Sequence, residues 1–295
     1  MESLKTSPRC APCLLSRVFY EAELSTKDPK LQLKAVKAAL KHLSEGLNEN
    51  SVAVKLSTKV HKAVYEALGD SDPYKEKKRI SNEVAKKNVP LARKLINSTR
   101  DKQEAFRRAV LLSIIGNSFD FGVQGLVVED ANFESYMHGA FRQGLGVDDT
   151  PRMVKLLDRV VYLADNCGEI YFDALVVEQI KRINPRSRIA FVVRGEPILT
   201  DATFEDALEA GIDSKVDELL TTGSGAVGID IETISAELYS TMRNATLIIS
   251  KGMANYESMS EYDFKPIAYL LRTKCIPIAE SLGVGKGLNI AKLIE

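Results

Sequence analysis

From about residue 150 onward, short β-branched apolar runs alternate with segments of helical periodicity, and this alternation constrains the fold more than any other feature of the chain. Strands are expected at 159–164, 188–194, 216–221, 245–250, 267–271 and 275–279. Helices are expected at 169–183, 203–210, 230–242 and 256–262. Strand–helix alternation at this spacing implies right-handed βαβ units and a mostly parallel sheet covered by helices, an α/β fold. The first half reads differently. Cys13–Leu24, Pro29–Glu45, Val52–Leu68, Tyr74–Asn97, Lys102–Ile115 and Asn132–Gln143 place apolar residues at three- and four-residue intervals. Breaks fall at Ser25–Pro29, Gly69–Pro73 and Ser98–Asp101, which carry cap and turn residues. The expected organisation is an all-helical N-terminal domain over 1–150, capping the carboxyl edge of the sheet, and an α/β domain over 151–295.

Composition removes several function classes. Lys and Arg total 40 and Asp and Glu total 40, and no basic stripe stands out, so nucleic acid is a poor candidate partner. The Lys-rich runs Lys27–Lys41 and Lys75–Lys87 are interleaved with apolar residues and read as solvated helix faces. No apolar stretch approaches the roughly 20 residues of a membrane span. The polar start MESLKTSPRC reads as lacking a signal peptide, and the expected location is cytoplasmic. The three histidines, His42, His61 and His138, lie scattered in the helical half, which argues against a His-built zinc hydrolase site.

Chemistry concentrates where the expected strands end, the side of an open α/β sheet on which ligands bind. The run VVYLADNCGEI at 160–170 ends in Asp165 and Asn166, and Glu169 then opens a helix. The next strand is followed by Asp201, and a third, TLIISKG, ends in Lys251. Two carboxylates and a carboxamide suit a hard divalent cation, and a lysine beside them suits the phosphoryl group such a cation would hold. Asp201 has a competing reading as the cap of the helix that follows. Glu169 is read either as a general base or as a favourable charge at a helix start, and Asp173 shares its face. Asp206 reads as structural. Gly223-Ser224-Gly225 resembles a phosphate nest without the lysine of a P-loop. Asn117 and Asp120 sit in a glycine-framed loop where the helical half could reach the site, or where Asx turns could form. Cys10 and Cys13 form a single CxxC, open to metal, redox or inert roles.

Taken in order, DNCGE at 165–169, RGEPILTDATFEDA at 194–207, TTGSG at 221–225 and SKGMANYE at 250–257 resemble the DUF89 proteins, also called the damage-control phosphatase or ARMT1-like family. The opening SPRCAPCLLSR is similar to the CxxC-containing prokaryotic and archaeal branch. The resemblance implies a Rossmann-like α/β domain with a helical N-terminal part, and a metal-dependent phosphatase of small phosphorylated metabolites, using Mn, Ni, Co or Mg. It maps the metal ligands onto Asp165, Asn166 and Asp201, and substrate contacts onto Asn117, Asp120 and the stretch Met253–Glu257, which includes Asn255 and Glu257. The lysine of the eukaryotic Arg-Thr-x-Lys motif corresponds to Lys274, one place early in Arg272-Thr273-Lys274. Thr200 stands where Asn is often found.

The expected function is therefore hydrolysis of phosphomonoesters, with Asp165, Glu169 and Lys251 as the catalytic set. Two other classes fit parts of the pattern. One is an S-adenosylmethionine-dependent methyltransferase in which Asp165 or Asp201 holds ribose hydroxyls. The other is a redox or metal-binding protein built on Cys10 and Cys13. The sequence gives no oligomeric state.

Overall fold

A computed structural model describes residues 4–117 and 130–295. The helical half forms α1 (Cys10–Ser25), α2 (Pro29–Gly46), α3 (Ala53–Leu68), α4 (Lys75–Asn97), α5 (Lys102–Gly116) and α6 (Asp130–Gln143). The boundaries follow local chemistry. Asp28 accepts the Lys30 amide ahead of Pro29, Asp101 accepts the Gln103 amide, and Gly69 closes α3 in the left-handed conformation. Lys78 departs from the solvated-face reading of its run. It is buried on α4 and its ammonium pairs with Asp72 at 2.5 Å.

The second half runs β1 (Val147–Asp148), α7 (Thr150–Met153), β2 (Arg159–Leu163), α8 (Glu169–Ile183), β3 (Arg188–Val193), α9 (Phe204–Glu209), β4 (Glu218–Thr221), α10 (Ala236–Arg243), β5 (Leu247–Lys251), α11 (Gly252–Met259), β6 (Ile267–Arg272), α12 (Ile276–Leu282) and β7 (Asn289–Ile294). The seven strands form one sheet in the order β1-β7-β6-β5-β2-β3-β4, parallel throughout except for β6 against β7. From β2 the chain steps to β3 and β4 on one side, then crosses to β5 on the other. The carboxyl ends of β2 and β5 therefore flank the point where strand order reverses, the usual crevice for a ligand.

Alternate residues of each strand feed opposite cores, as the two-residue period of a strand requires. Val160 and Tyr162 of β2 pack with α4, α5, α6 and α8, whereas Val161 and Leu163 pack with α10, α11 and α12. Hydrophobic contact thus runs across residue 150, because Phe106, Phe133 and Met137 share a core with the sheet. A third core joins α1, α2 and α3 to Ile198, Leu199 and Val227, which lie in the loops after β3 and β4. Those three helices cover the carboxyl edge of the sheet.

One strand expectation differs from the structure, and one strand was not expected. Residues 275–279 begin α12, with Cys275 as its cap and Pro277 in the first turn, where a proline is tolerated. The antiparallel strand is instead β7, whose NIAKLI pairs Ile290 with Leu271.

Candidate active site

The loop after β2 carries Asp165 and Asn166, and the loop after β3 carries Thr200 and Asp201. The two loops are laced together. Asn166 and Asp201 form an antiparallel bridge, the Ala202 amide donates to the Asp165 carbonyl at 2.8 Å, and the Cys167 amide donates to the Thr200 carbonyl at 2.8 Å. The Thr200 hydroxyl donates to Asn166 Oδ1 at 2.6 Å. Asp165, Asn166 and Asp201 are 6%, 5% and 4% exposed, and all three line one cavity of about 190 Å³. The capping alternative for Asp201 fails. The cap of α9 is Thr203, in a reciprocal capping box with Asp206, which confirms the structural reading of Asp206.

Each of these cavity-lining acids is held by neighbours. Asp165 Oδ2 accepts from Asn117 Nδ2 at 2.8 Å and from Asn166 Nδ2 at 2.7 Å. Arg194, at the end of β3, donates to Asp201 Oδ2 at 2.6 Å, to the Gly228 carbonyl at 2.7 Å and to Asn255 Oδ1 at 2.7 Å. Sequence reasoning missed Arg194. Its signal was an arginine closing an apolar strand, a position where burial demands several acceptors. Gly252, at φ 76°, opens α11 directly against Asp165, and a Cβ there would overlap the carboxylate. Burial, then the charges of Asp201 and Glu169, push the Asp165 carboxyl well above the usual range, with Arg194 and Asn117 pulling it back. Two acids compressed in this way favour a cation between them.

The structure separates Glu169 and Lys251 from the cavity. The Lys251 ammonium is fully buried, ion-paired to Glu169 and, at 2.9 Å, to Asp173, and it donates to Ser113 Oγ at 2.5 Å. Burial alone would lower the Lys251 pKa, but Asp173 and Glu169 outweigh it and the net shift is upward. Glu169 also accepts from Asn117 Nδ2 at 2.6 Å, so it orients the amide that holds Asp165. Asn255 is likewise a brace, donating to the Ala164 carbonyl at 2.9 Å.

Of the other expected residues, Asn117, Met253, Glu257 and Lys274 line the cavity. The Lys274 ammonium donates to the Asn117 carbonyl at 2.7 Å. Glu257 is half-buried, and burial, opposed by Arg17, pushes its carboxyl up to about 7. Asp120 lies outside the described residues. The loop Gly223-Ser224-Gly225 packs on Gly195 and Glu196 instead of facing the cavity. Cys10 and Cys13, in the first turn of α1, line the cavity with Cys275. Burial raises the Cys10 thiol and pushes Cys275 up to about 11, so both are thiols near neutral pH. Among the described residues no three Cys, His, Asp or Glu side chains group as metal ligands. The candidate donor set is mixed: two carboxylates and a carboxamide.

A mostly parallel sheet covered on both faces by helices, with Asp165 and Asp201 lining one cavity where strand order reverses, defines an α/β protein with a polar cleft at its switch point. The chain belongs to the family of the damage-control phosphatase ARMT1-like domain, which matches residues 6–290. It is 44% identical over 293 residues to a damage-control phosphatase of Archaeoglobus fulgidus, covering 99% of this chain and 100% of that one. It is 32% identical over 287 residues to a damage-control phosphatase of Pyrococcus horikoshii, covering 96% of each. A crystal structure of a DUF89 family protein from Pyrococcus horikoshii superposes with a TM-score of 0.88 at 30% identity, over 99% of both chains. No helix among the described residues is long and apolar enough to cross a membrane.

Proposed function

We propose that the protein is a divalent-metal-dependent phosphatase acting on small phosphorylated metabolites. The observation that carries this reading is the convergence of Asp165, Asn166 and Asp201 on one cavity at the strand-order reversal. Family membership and the phosphatase names of its relatives favour it over the transferase and redox alternatives.

The donor chemistry fits a hard cation. Asp165, Asn166 and Asp201 would hold it, and when bound it would neutralise charge developing on the phosphoryl oxygens. The chain's own groups do the positioning. Lys274, anchored on the Asn117 carbonyl, presents its ammonium to the cavity and binds a phosphoryl oxygen. Arg194 fixes the orientation of Asp201, and Asn117 fixes that of Asp165. Glu169 and Lys251 act from behind, as a buried charge pair that keeps the Asn117 amide in place. Leu14, Val227 and Met253 give the cavity an apolar wall beside the polar donors.

The test is turnover of p-nitrophenyl phosphate after chelation and re-addition of Mn²⁺, Co²⁺, Ni²⁺ or Mg²⁺. Asp165→Ala is expected to lower metal-stimulated kcat/KM by at least about 100-fold, the scale on which a lost metal ligand acts. Near-normal turnover in that variant refutes the assignment. A panel of sugar phosphates and nucleotides then sorts the substrate class.

A further inference from the structure

Leu199 is the one non-glycine residue with a positive φ among the described residues, at 48°. Its position gives this weight: Thr200 and Asp201 follow directly. The Asp201 amide donates to the Ile198 carbonyl at 3.1 Å, closing a four-residue turn with Leu199 at its second position. Turns of this hand normally place glycine, asparagine or aspartate there. A leucine persists only where the surroundings hold it.

Two contacts with the helical half hold it. The Leu199 side chain is buried in the core formed by α1, α2 and α3. Its amide donates to the phenol oxygen of Tyr65, on α3, at 3.0 Å. Tyr65 is itself buried, and burial followed by the nearby Glu21 carboxylate keeps its hydroxyl protonated. Glu21 in turn contacts His61 Nδ1 at 2.7 Å, so the tyrosine stands in a packed polar cluster between α1 and α3. Other strand-end loops are held in the same manner. Asn82 of α4 accepts the Gly168 amide at 2.7 Å, and Thr58 of α3 accepts the Val227 amide at 2.9 Å.

We infer that Tyr65 is a positioning residue for the reaction: its phenol oxygen clamps the left-handed turn at Leu199 and thereby sets Thr200 and Asp201 against Asn166 and Asp165. The covering helices then serve as a jig for the reacting loops as well as a wall of the cavity. The kinetic part of this inference rests on the phosphatase reading; the clamp itself does not.

Tyr65→Phe removes the acceptor and keeps the ring. Hydrogen exchange of the segment 196–202 is expected to rise about tenfold in this variant, while the Gly168 amide, held by Asn82, stays as in the wild type. With p-nitrophenyl phosphate and Mn²⁺, kcat is expected to fall about five- to tenfold with KM changed less than about twofold, the scale of one lost hydrogen bond. A merely structural tyrosine would lower the melting temperature without splitting kcat from KM. Unchanged exchange at 196–202 overturns the clamp, and raised exchange with unchanged kcat overturns its part in the reaction. Absence of wild-type phosphatase turnover would count against the functional reading, and the exchange data would still decide the clamp. Should the variant fail to fold, exchange in the wild type decides: the Leu199 amide must be among the slowest of its segment.

Discussion

At the scale of single residues, the site is built from buried side chains that neutralise or orient one another. Lys251 shows why this matters. Its ammonium lies between Glu169 and Asp173, so removing it leaves two carboxylates buried without their cation. Lys251→Met is expected to destabilise the fold by about 3–5 kcal/mol, measured by denaturant unfolding of the metal-free protein. A loss under about 1 kcal/mol would mean that the pair is hydrated and that the buried geometry is wrong. This residue also marks the limit of reading a site from sequence. Asp165 and Asn166 stood out because polar groups closing an apolar strand have few other uses, and Asp201 because it falls in the loop after the next strand. The partners of Lys251 did not, because Ser113 lies 138 residues away and nothing local signals it. Arg194 stayed hidden for a related reason: a strand-terminal arginine looks solvated until the loops that cover it are known.

At the scale of elements, the junction of β5 with α11 decides how close the second half of the sheet approaches Asp165. Gly252 allows that approach twice over, through its positive φ and through its lack of a Cβ. Gly252→Ala is expected to displace the Asp165 carboxylate and cut metal-stimulated kcat/KM by about 100-fold while the far-ultraviolet circular dichroism keeps its wild-type shape. Wild-type turnover in that variant would show that α11 does not fix the carboxylate. Most elements were legible from periodicity, since α2, α3 and α4 each carry a long amphipathic pattern and Asp28 and Asp101 cap the starts of α2 and α5. The failures were short and late in the chain. Cys275–Ala279 is apolar enough to read as a strand, and only Pro277 in a first helical turn betrays α12. In β7, the short run Asn289–Ile294 is buried on both sides of the sheet, and its antiparallel partner β6 could not be inferred from the repeating βαβ pattern.

At the scale of the whole molecule, two helical layers pack on a sheet, with α1, α2 and α3 closing the carboxyl edge over one cavity. Glu257 reports on that closure through pH. Its carboxyl titrates at about 7 in the folded protein against an ordinary 4.5, so the native state holds a proton that the unfolded chain releases. Its stabilising contribution is therefore complete below about pH 4.5 and is lost as the pH rises towards about 7. Between about pH 5 and pH 8 the melting temperature of the metal-free wild type is expected to fall relative to Glu257→Gln, and parallel curves would show that the carboxylate is solvated. Oxygen donors brought by β2 and β3 are expected to meet on a single cation, and anomalous diffraction from crystals soaked in Mn²⁺ decides it. One peak is expected at about 2.0–2.6 Å from side-chain oxygens of Asp165, Asn166 and Asp201 together. A peak that leaves either aspartate out of its coordination sphere, or none in this cavity at saturating metal, would contradict it.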